Sequence, residues 1–562
     1  MYACDFETIV SDTKTRVWAW CAVDISTEET FYGTSIDTFM EEICVNNETC
    51  YFHNLKFDGA FIVDWLFRHG YDWYDKRKLD PMQFSTLISD MGSWYSINIR
   101  LPNAPSGFER QVKILDSLKI LPMKVAEMPK SFPVGLEKLD LDYEGYREEG
   151  HELTEDERAY IRNDTMILAR SLRFMFTNGM TKMTTASNAM NYFKNQLGKA
   201  EYKRMYPKLS PIEDRDIRRS YKGGFTYLNP KYKDAHVGKG KVYDVNSMYP
   251  WAMKFCRLPY GEPWYFNGKY EKNDIYDLYV QCFSCEFKLK PNRVPSIQIK
   301  GSFMYRGTEY LTQSNGETLL TLTNVDLDLF FHNYDVTVYE WIGGYMFKSM
   351  VGMFAEYIDY WYDVKTNSRI EGNKGMERIA KLMLNSLYGK FGSNPEGRSK
   401  IPYLDEEKDR VCFRYGTPEE RTAYYLPVAS FITSYCRDKI IRSAEALGDR
   451  FIYADTDSLH VLGDEEVTGI DIDNKRLGAF KLEEEFSEAI FIRQKTYCEM
   501  VNGNLDVKCA GMPSNVKSKV TLDNFKAGSE FSGKLMPKII TGGVVLKETT
   551  FKIQKESTTN IN

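Results

Sequence analysis

The sequence predicts an α/β protein with several subdomains, and three observations carry this prediction. The chain has 562 residues, which is too long for a single hydrophobic core. Its first third alternates short β-prone runs with helical patterns. Residues 451–461 read as a hairpin that carries two aspartates with one residue between them. Hydrophobic residues at 43% and charged residues at 27% are typical of a folded soluble protein, with no apolar run long enough for a membrane span.

The elements of the first third are predicted in an alternating order. The patterns favour strands over residues 1–8, 16–23 and 49–53, and helices over 36–45, 58–69 and 154–177. Thr154 and Glu157 form a capping-box pattern that opens the last of these helices.

The two aspartates of the hairpin, Asp455 and Asp457, are the most informative pair in the chain. In a strand, residues i and i+2 face the same side, so we expect the two carboxylates to lie together. Two carboxylates at such a short separation repel each other, and a bound Mg²⁺, which prefers oxygen ligands, would offset that repulsion. With a third aspartate from elsewhere, the pair predicts a site for two-metal nucleotidyl transfer. A surface turn with solvated acids is the alternative for a lone pair of this kind.

Four further acids and a tyrosine lie in the first third. Asp5 and Glu7 repeat the i, i+2 spacing on a strand, and Asp58 follows a strand. Tyr160 and Asp164 are four residues apart on one helix face. These acids predict an oxygen-only site for two metals, where Tyr160 could orient an attacking water.

Two more motifs lie between the acids of the first third and the hairpin. Residues 241–250 predict a strand ending at Asp244 and a helix starting near Ser247, whose N–H groups can bind phosphate. Tyr249 would close the pocket beneath an incoming sugar, with ordinary packing as the alternative. A helix over 381–389 puts Lys381, Asn385 and Tyr388 on one face. Its alternative is an amphipathic helix with a solvated lysine.

The order Asp-Val-Asn-Ser-Met-Tyr-Pro, Lys-x₃-Asn-Ser-x-Tyr-Gly, Asp-Thr-Asp resembles motifs A, B and C of the family B DNA polymerases. The acids and tyrosine of the first third resemble the DEDD exonucleases. Residues 221–224 (Tyr-x-Gly-Gly) and 495–497 (Lys-x-Tyr) resemble motifs of the protein-primed branch, the phi-29 phage type. The resemblance runs nearly end to end.

This resemblance implies a domain order. It implies an RNase H-like 3′–5′ exonuclease domain over 1–180 and a polymerase domain over 181–562. Within the polymerase domain it implies a palm, fingers at about 349–392, a thumb at about 513–562, insertion one at about 258–348 and insertion two at about 393–420. Insertion one would dock a terminal protein and insertion two would form a clamp or strand-splitting tunnel. Surface elaboration is the alternative for each insertion.

The resemblance also implies roles for individual residues. The catalytic residues would be Asp244, Asp455, Asp457, Asp5, Glu7, Asp58, Tyr160, Asp164 and Lys138. The metal ligands would be the seven acids of that list, six aspartates and Glu7, together with Val245. The nucleotide would contact Val245, Tyr249, Lys365, Lys381, Asn385 and Tyr388. DNA would contact Thr8, His53, Asn54, Phe57, Phe61, Ser117, Leu118, Tyr221, Gly223, Gly224, Lys495 and Tyr497. Met123 stands where the family pattern has an aromatic ring, which weakens one expected stacking contact.

The implied activity is DNA-directed DNA synthesis, primed by a terminal protein, with proofreading and strand displacement. It would use two Mg²⁺ ions per site, or Mn²⁺, and dNTP substrates, on template and primer DNA. We expect a monomer without a membrane, encoded by a phage or mobile element and working in bacterial cytoplasm. A reverse transcriptase-like polymerase and a catalytically inactive DNA-binding protein are the alternatives, although the net charge of −6 gives no overall basic signal.

Overall fold

The structure is a computed structural model that describes residues 1–9, 14–75, 78–139, 147, 150–299, 310–421 and 423–554. The first third forms a mixed sheet with flanking helices, as predicted. Its elements are β1 (Tyr2–Thr8), β2 (Val17–Asp24), β3 (Thr30–Gly33), α1 (Ile36–Glu42), β4 (Thr49–Phe52), α2 (Leu55–Arg68), β5 (Asp72–Trp73), β6 (Gln83–Ile88), β7 (Trp94–Arg100), β8 (Gln111–Asp116), α3 (Met128–Ser131) and α4 (Glu155–Thr177).

These eight strands form one sheet in the order β3-β2-β1-β4-β8-β7-β6-β5. β1 runs antiparallel to β2 and parallel to β4, so it lies inside the sheet. α4 packs against β1 and β2, and the predicted capping box of Thr154 and Glu157 is present at its start. The acids of β1 therefore face elements that come from distant parts of the chain.

Helix α2 begins three residues before the predicted start. Asn54 has a left-handed conformation with φ of 71°, and Oδ1 of Asp116 accepts hydrogen bonds from the backbone N–H groups of Asn54 and Leu55. A carboxylate at the end of β8 thus satisfies the free N–H groups of α2. Asp58 is consequently the fourth residue of the helix, in its first turn, and not the first residue as predicted.

The middle of the chain contains a helical link and then a second antiparallel sheet. The elements are α5 (Thr185–Leu197), α6 (Lys199–Met205), α7 (Pro211–Arg218), β9 (Phe225–Leu228), β10 (His236–Val237), β11 (Gly240–Val245), α8 (Met248–Phe255), β12 (Leu258–Asn267), β13 (Leu278–Leu289), β14 (Thr318–Thr323), α9 (Asn324–Asn333) and β15 (Tyr334–Met350). The sheet β12-β15-β13-β14 occupies the region predicted as insertion one.

The remaining elements include the helix pair predicted as fingers and several hairpins. They are α10 (Ala355–Ile370), α11 (Lys374–Phe391), β16 (Glu396–Gly397), β17 (Lys400–Asp405), β18 (Arg410–Tyr415), β19 (Glu419–Glu420), α12 (Leu426–Ala446), β20 (Phe451–Thr456), β21 (Ser458–Leu462), β22 (Phe480–Phe486), β23 (Ala489–Arg493), β24 (Thr496–Val501), β25 (Asn504–Cys509), α13 (Ser514–Lys517), β26 (Glu530–Ile540) and β27 (Gly543–Lys552).

A five-stranded sheet in the order β22-β11-β21-β20-β9 carries the motifs of the second half. Asp244 of β11 and Asp455 of β20 both pair with Ser458 of β21, so the sheet brings them together. α12 packs against this sheet and against α8 and α11. The order of elements within these motifs follows the prediction.

Three separate parts of the chain meet around the hairpin β17–β18. Nη1 of Arg68, in α2, lies 2.9 Å from Oδ1 of Asp409, in the turn of that hairpin. Arg410 donates to the carbonyl oxygen of Ile539 in β26 at 3.3 Å, and the N–H of Thr15 donates to Thr541 at 3.0 Å. The hairpin β17–β18, the C-terminal hairpin β26–β27 and the N-terminal third therefore contact one another in pairs.

The predicted domain boundary near residue 180 falls between the end of α4 and the start of α5. The boundaries of the domains and insertions stay predictions. No helix in the described ranges is long and apolar enough to span a membrane.

Candidate catalytic sites

The hairpin aspartates are arranged differently from the predicted i, i+2 pair on a strand. Asp455 lies in β20, but Asp457 lies in the turn between β20 and β21, after Thr456 with φ of 66°. The carbonyl oxygen of Asp457 accepts a hydrogen bond from the N–H of Val245 at 2.8 Å. The strand rule is therefore wrong for Asp457, and its position is fixed by the turn and by β11.

The palm carboxylates nevertheless interact electrostatically. Burial and the negative charge of Asp457 raise the pKa of Asp244 to about 7. Burial and the charge of Asp455 raise the pKa of Asp457 to about 6, despite a backbone hydrogen bond that opposes the shift. Burial and the neighbouring negative charges thus disfavour the ionised form of both carboxyl groups, and a bound cation would offset both effects.

Two lysines stand beside these carboxylates. Nζ of Lys495 is 2.8 Å from Oδ1 of Asp455, and Nζ of Lys481 is 3.9 Å from Oδ1 of Asp244. Both ammonium groups are partly exposed, so they can turn towards other anions. Lys495 was predicted to contact DNA, and its place beside Asp455 puts it at the palm acids.

Lys481 and Glu483 were missed by the sequence reasoning. Both belong to β22, where Lys481 pairs directly with Asp244 of β11. The charge of Glu483 raises the pKa of Asp244 and of Asp457, after burial and the other palm acids. The charged run 481–485 was the available signal, since i and i+2 of a strand share a face.

The predicted nucleotide pocket has a ring stack at its base. The rings of Tyr249, in α8, and Tyr388, in α11, are stacked with centroids 3.9 Å apart and planes at 12°. A Cβ atom on Gly224 would lie 2.8 Å from Thr456 Cγ2 and 3.2 Å from the Tyr249 hydroxyl. Glycine at 224 therefore lets the Tyr-x-Gly-Gly segment approach the turn with the two aspartates.

The rest of that segment is held by buried contacts. Arg437 donates to the carbonyl oxygens of Lys222 and Gly223 at 2.8 and 2.9 Å. A Cβ atom on Gly392, just after α11, would lie 2.4 Å from the Tyr221 hydroxyl. Tyr221 thus packs closely against the end of α11.

Basic side chains gather on α10 and α11 near the palm acids. Nζ of Lys365 is 3.5 Å from the Ser247 hydroxyl at the start of α8. Burial, and then the positive charges of Arg369, Lys381 and Lys481, lower the pKa of Lys365. Lys381 pairs with Glu377 of its own helix at 2.9 Å. This cluster is suited to a polyanion, and Arg369 adds a group that the sequence reasoning missed.

Asn385 and Val245 differ in exposure. Asn385 is exposed on α11, whereas the side chain of Val245 is buried and only its backbone could serve a ligand.

The N-terminal acids form a second electrostatic cluster. Burial and the charge of Asp164 raise the pKa of Asp5 to about 7. Burial, with Asp5 and then Glu7, raises the pKa of Asp58 well above its usual value. Oδ1 of Asp58 is buried and has no hydrogen-bond partner among the described residues. The structure thus brings together all four acids that the sequence singled out.

Lys138 and Tyr160 lie at the same cluster. Nζ of Lys138 donates to Oδ2 of Asp164 at 2.8 Å. Burial opposes protonation of Lys138, but the bond to Asp164 prevails and raises the lysine pKa. Tyr160 is 7% exposed and lies close enough to Lys138 to add to the rise in the lysine pKa.

Two residues of the first third that were predicted to contact DNA, Ser117 and His53, make hydrogen bonds within the protein. Ser117 is fully buried, and its hydroxyl lies 2.9 Å from the carbonyl oxygen of Phe52 and 3.0 Å from Nδ1 of His53. Nε2 of His53 is 2.7 Å from the carbonyl oxygen of Met123. Burial lowers the pKa of His53, which favours the neutral ring. Ser117 therefore orients His53 and offers no surface to DNA, contrary to expectation.

Phe57 and Phe61 were also assigned to this cleft, and Met123 stands where the family pattern has an aromatic ring. The Phe61 ring is 2% exposed, tilted against Phe57 at 5.7 Å and packed on Gly543 of the C-terminal hairpin. The side chain of Met123 is buried in the core. Phe57 keeps partial exposure, so of the two rings only Phe57 remains open to a DNA end.

Asn54, Leu118 and Thr8 lie near the same edge. The N–H groups of Asn54 and Leu118 both donate to Oδ1 of Asp116. Thr8 is half-buried at the end of β1, directly after a bulge.

Tyr497 is 7% exposed and stacks on Phe491 at 5.3 Å. Little of its ring is therefore open to DNA, although its neighbour Lys495 is exposed. The assignments of these residues to nucleotide or DNA stay predictions.

Both acid clusters have the donor chemistry for a hard divalent cation. Their ligands are carboxylate oxygens, their pKa values are raised by burial and then by neighbouring negative charge, and Asp58 offers a buried oxygen without a partner among the described residues. In the ranges that the structure describes, no three His, Cys, Asp or Glu side chains already converge closely enough to hold one ion. The carboxylate donor set thus fits a hard divalent cation in its chemistry.

Comparisons with known proteins agree with this arrangement. Residues 40–473 match the family described as DNA polymerase type B, organellar and viral. The DNA polymerase of Bacillus phage B103 is 43% identical over 99% of both chains, and that of Streptococcus phage Cp-1 is 34% identical over 99% of this chain and 98% of its own. The structure of phi29 DNA polymerase with primer-template DNA and incoming nucleotide superimposes with a TM-score of 0.93, at 41% identity, covering 98% of this chain and 99% of that one. This chain therefore belongs to the organellar and viral type B DNA polymerases.

Proposed function

We propose that this DNA polymerase starts synthesis on a terminal protein, proofreads with a separate 3′–5′ exonuclease site and displaces the strand ahead of it. The observation that carries the proposal is the presence of two distinct acid clusters, one on each of two sheets, within a chain similar to phage polymerases over its whole length. Polymerases of this family use divalent metal ions and dNTPs, and we assign two Mg²⁺ ions to each cluster.

In the palm, Asp244, Asp455 and Asp457 would hold the ions. When bound, the ions would activate the primer hydroxyl and neutralise the triphosphate. Lys365, Lys381 and Lys481 supply positive charge next to Ser247 at the start of α8. The Tyr249–Tyr388 stack forms the base of the nucleotide pocket. These residues bind and orient the triphosphate, which accounts for much of catalysis in phosphoryl transfer.

In the N-terminal cluster, Asp5, Glu7, Asp58 and Asp164 would hold the ions. Lys138 neutralises Asp164, and its ammonium group can also stabilise the negative charge on the scissile phosphate. Tyr160 lies beside Lys138, where its hydroxyl can orient a water. His53 is fixed by Ser117 and the Met123 carbonyl at the edge of this cleft, so it can position the 3′ end.

A substitution at Tyr249 should change sugar selection. We expect Tyr249→Val to raise ribonucleotide insertion relative to deoxynucleotide insertion by about 10–200-fold, because the ring blocks a 2′-hydroxyl and one such steric contact contributes about 1–3 kcal/mol. Single-nucleotide insertion with matched rNTP and dNTP measures the ratio. Tyr249→Phe keeps the ring and serves as the control. Unchanged discrimination in the valine variant would move the steric gate to another residue.

Insertion two is assigned to strand displacement. Its hairpin contacts α2 through Arg68 and the C-terminal hairpin through Arg410, so the three parts can enclose a single strand. An enclosed path that admits one strand would make translocation itself separate a downstream duplex.

Removal of this hairpin should separate displacement from synthesis. Gly397 and Glu419 are paired, so residues 398–418 can be replaced there by a two-glycine turn. We expect this variant to copy an open single strand nearly as well as the parent chain and to stop at a downstream duplex. Arg68→Gln, which removes one contact of the enclosure, should give an intermediate defect. Equal losses on both templates would make the hairpin purely structural.

Protein priming is supported by the Tyr-x-Gly-Gly and Lys-x-Tyr segments and by insertion one. The sheet of insertion one exposes large apolar side chains of Trp264, Tyr265, Tyr339 and Ile342. Exposed aromatic surface of this kind marks an interaction site. We assign it to the terminal protein, in a phage-infected bacterial cytoplasm.

The test of this assignment is an initiation assay. With its terminal protein, Mg²⁺, an origin template and one labelled dNTP, the enzyme should attach a nucleotide covalently to a Ser, Thr or Tyr of that protein. Trp264→Ala with Tyr339→Ala should lower this reaction while leaving extension of a DNA primer intact. If the enzyme initiated only from DNA or RNA primers and never on the terminal protein, protein priming would be ruled out, while the polymerase assignment would stand.

A further inference from the structure

A pair of lysines around one tyrosine ring lies outside both acid clusters. Nζ of Lys194, in the last turn of α5, is 5.2 Å from the ring centroid of Tyr424, and Nζ of Lys390, in the last turn of α11, is 5.3 Å from the same centroid. Lys194 also lies 4.5 Å from the ring centroid of Tyr202. The aromatic rings thus hold two ammonium groups close together.

Neither lysine is neutralised by an acid. In the described part of the chain, no carboxylate oxygen lies within 4.0 Å of either Nζ, whereas Lys254 and Lys381 each have an acidic partner. Both side chains are only partly exposed. Burial lowers the pKa of both lysines, and the charge of Lys194 lowers that of Lys390 further.

Helix dipoles do not account for this arrangement. The carbonyl ends of α5 and α11 favour nearby cations, by roughly 0.3–1 kcal/mol each. However, neither ammonium donates a hydrogen bond to a carbonyl of the described residues. Two half-buried cations that repel each other are stabilised most by an anion that contacts both.

We propose that Lys194, Lys390 and Tyr424 form a binding site for phosphodiester groups of the uncopied, single-stranded template. The proposal rests on the proposed polymerase function. Lys390 follows Tyr388 by two residues and so lies on nearly the opposite side of α11 from the nucleotide pocket. Tyr424 follows directly on the segment that leaves insertion two, the hairpin region assigned to the enclosed strand. The site thus lies where the chain enters and leaves insertion two, on the face of α11 away from the nucleotide pocket.

The test compares DNA binding with two template lengths. Primer-templates carrying a one-nucleotide or a ten-nucleotide 5′ template overhang are titrated at several salt concentrations. The wild-type chain should gain affinity with the longer overhang, and Lys194→Gln with Lys390→Gln should lose that gain. For the double glutamine variant on the long overhang, the slope of log Kd plotted against log salt concentration should be smaller than for wild type. The expected decrease is about 0.7 for each lost phosphate contact, or about 1.4 for two. Lys194→Arg with Lys390→Arg should restore the gain.

The control is Lys199→Gln, which removes an exposed positive charge from α6, the next helix along the chain. It should behave as wild type. Equal weakening on both DNAs by the double glutamine variant would overturn the proposal, because the cluster would then serve the duplex or the shape of the fingers. An unchanged overhang gain, with thermal stabilisation by inorganic phosphate lost in that variant, would also overturn it, in favour of a free-anion site. Failure of the proposed polymerase function is seen separately, as no extension by the wild-type chain on the one-nucleotide overhang.

Discussion

Asp457→Asn is expected to abolish DNA synthesis while leaving 3′–5′ degradation of single-stranded DNA intact. Asp457 belongs to the palm cluster, and asparagine keeps its size but removes the charge that would bind a cation. A loss of about 4 kcal/mol of transition-state stabilisation corresponds to about a 10³-fold drop in rate. Single-turnover primer extension measures synthesis, and release of nucleotides from an unpaired 3′ end measures degradation.

The same substitution should not destabilise the protein. The folded pKa of Asp457 is raised to about 6, mainly by burial, so the folded state is favoured by the neutral acid. That contribution is present below the unfolded pKa of about 4 and is lost as the pH rises to about 6. In cation-free buffer at pH 8, Asp457→Asn should therefore melt at the same temperature as wild type or higher.

A matched control lies at the other end of the hairpin. Asp464 is exposed and pairs with Lys239, so Asp464→Asn should retain both activities. If Asp457→Asn stayed folded and lost degradation as well, the two clusters would not be independent sites.

The sequence predicted most of the fold because local pattern and family order agree. The alternating elements of the first third, the capping box of α4 and the helix with Lys381 and Tyr388 are confirmed. The α/β architecture of a family B polymerase is confirmed by the superposition on phi29 DNA polymerase. These features depend on periodicity and on capping residues, which are local properties of the chain.

The errors arose where a distant residue decides the local geometry. The start of α2 is set by Asp116, which lies some sixty residues further along the chain. Asp457 leaves the strand because Thr456 has a left-handed backbone conformation. Neither the start of α2 nor the conformation of Thr456 can be predicted from local propensity, since each depends on which strands become neighbours.

Site residues were missed or misjudged for a similar reason. Lys481 reaches Asp244 only through the pairing of β22 with β11. Ser117 and Phe61 match the family pattern, yet burial gives them packing roles in this chain. A motif identifies which residues gather at a site, and the tertiary contacts decide which of their atoms remain open to a ligand.

Replacing Asp5 and Asp58 together by alanine is expected to give the opposite result from Asp457→Asn. Degradation of a 3′ end should fall by about 10³-fold or more, because two of the four carboxylates of the N-terminal cluster are removed. DNA synthesis should persist, since the palm acids lie on a different sheet. Misincorporated nucleotides should then accumulate in the product, which sequencing of copied DNA measures.

The control is Asp72→Ala, which replaces an exposed acid in β5 of the same sheet and should change neither activity. Both shifted pKa values in this cluster are raised by burial and by neighbouring negative charge, so the double variant should keep its thermal stability in cation-free buffer at pH 8. A folded double variant that still degraded DNA at the wild-type rate would show that these acids are not the exonuclease site, and one that lost synthesis as well would show that the two activities share a centre.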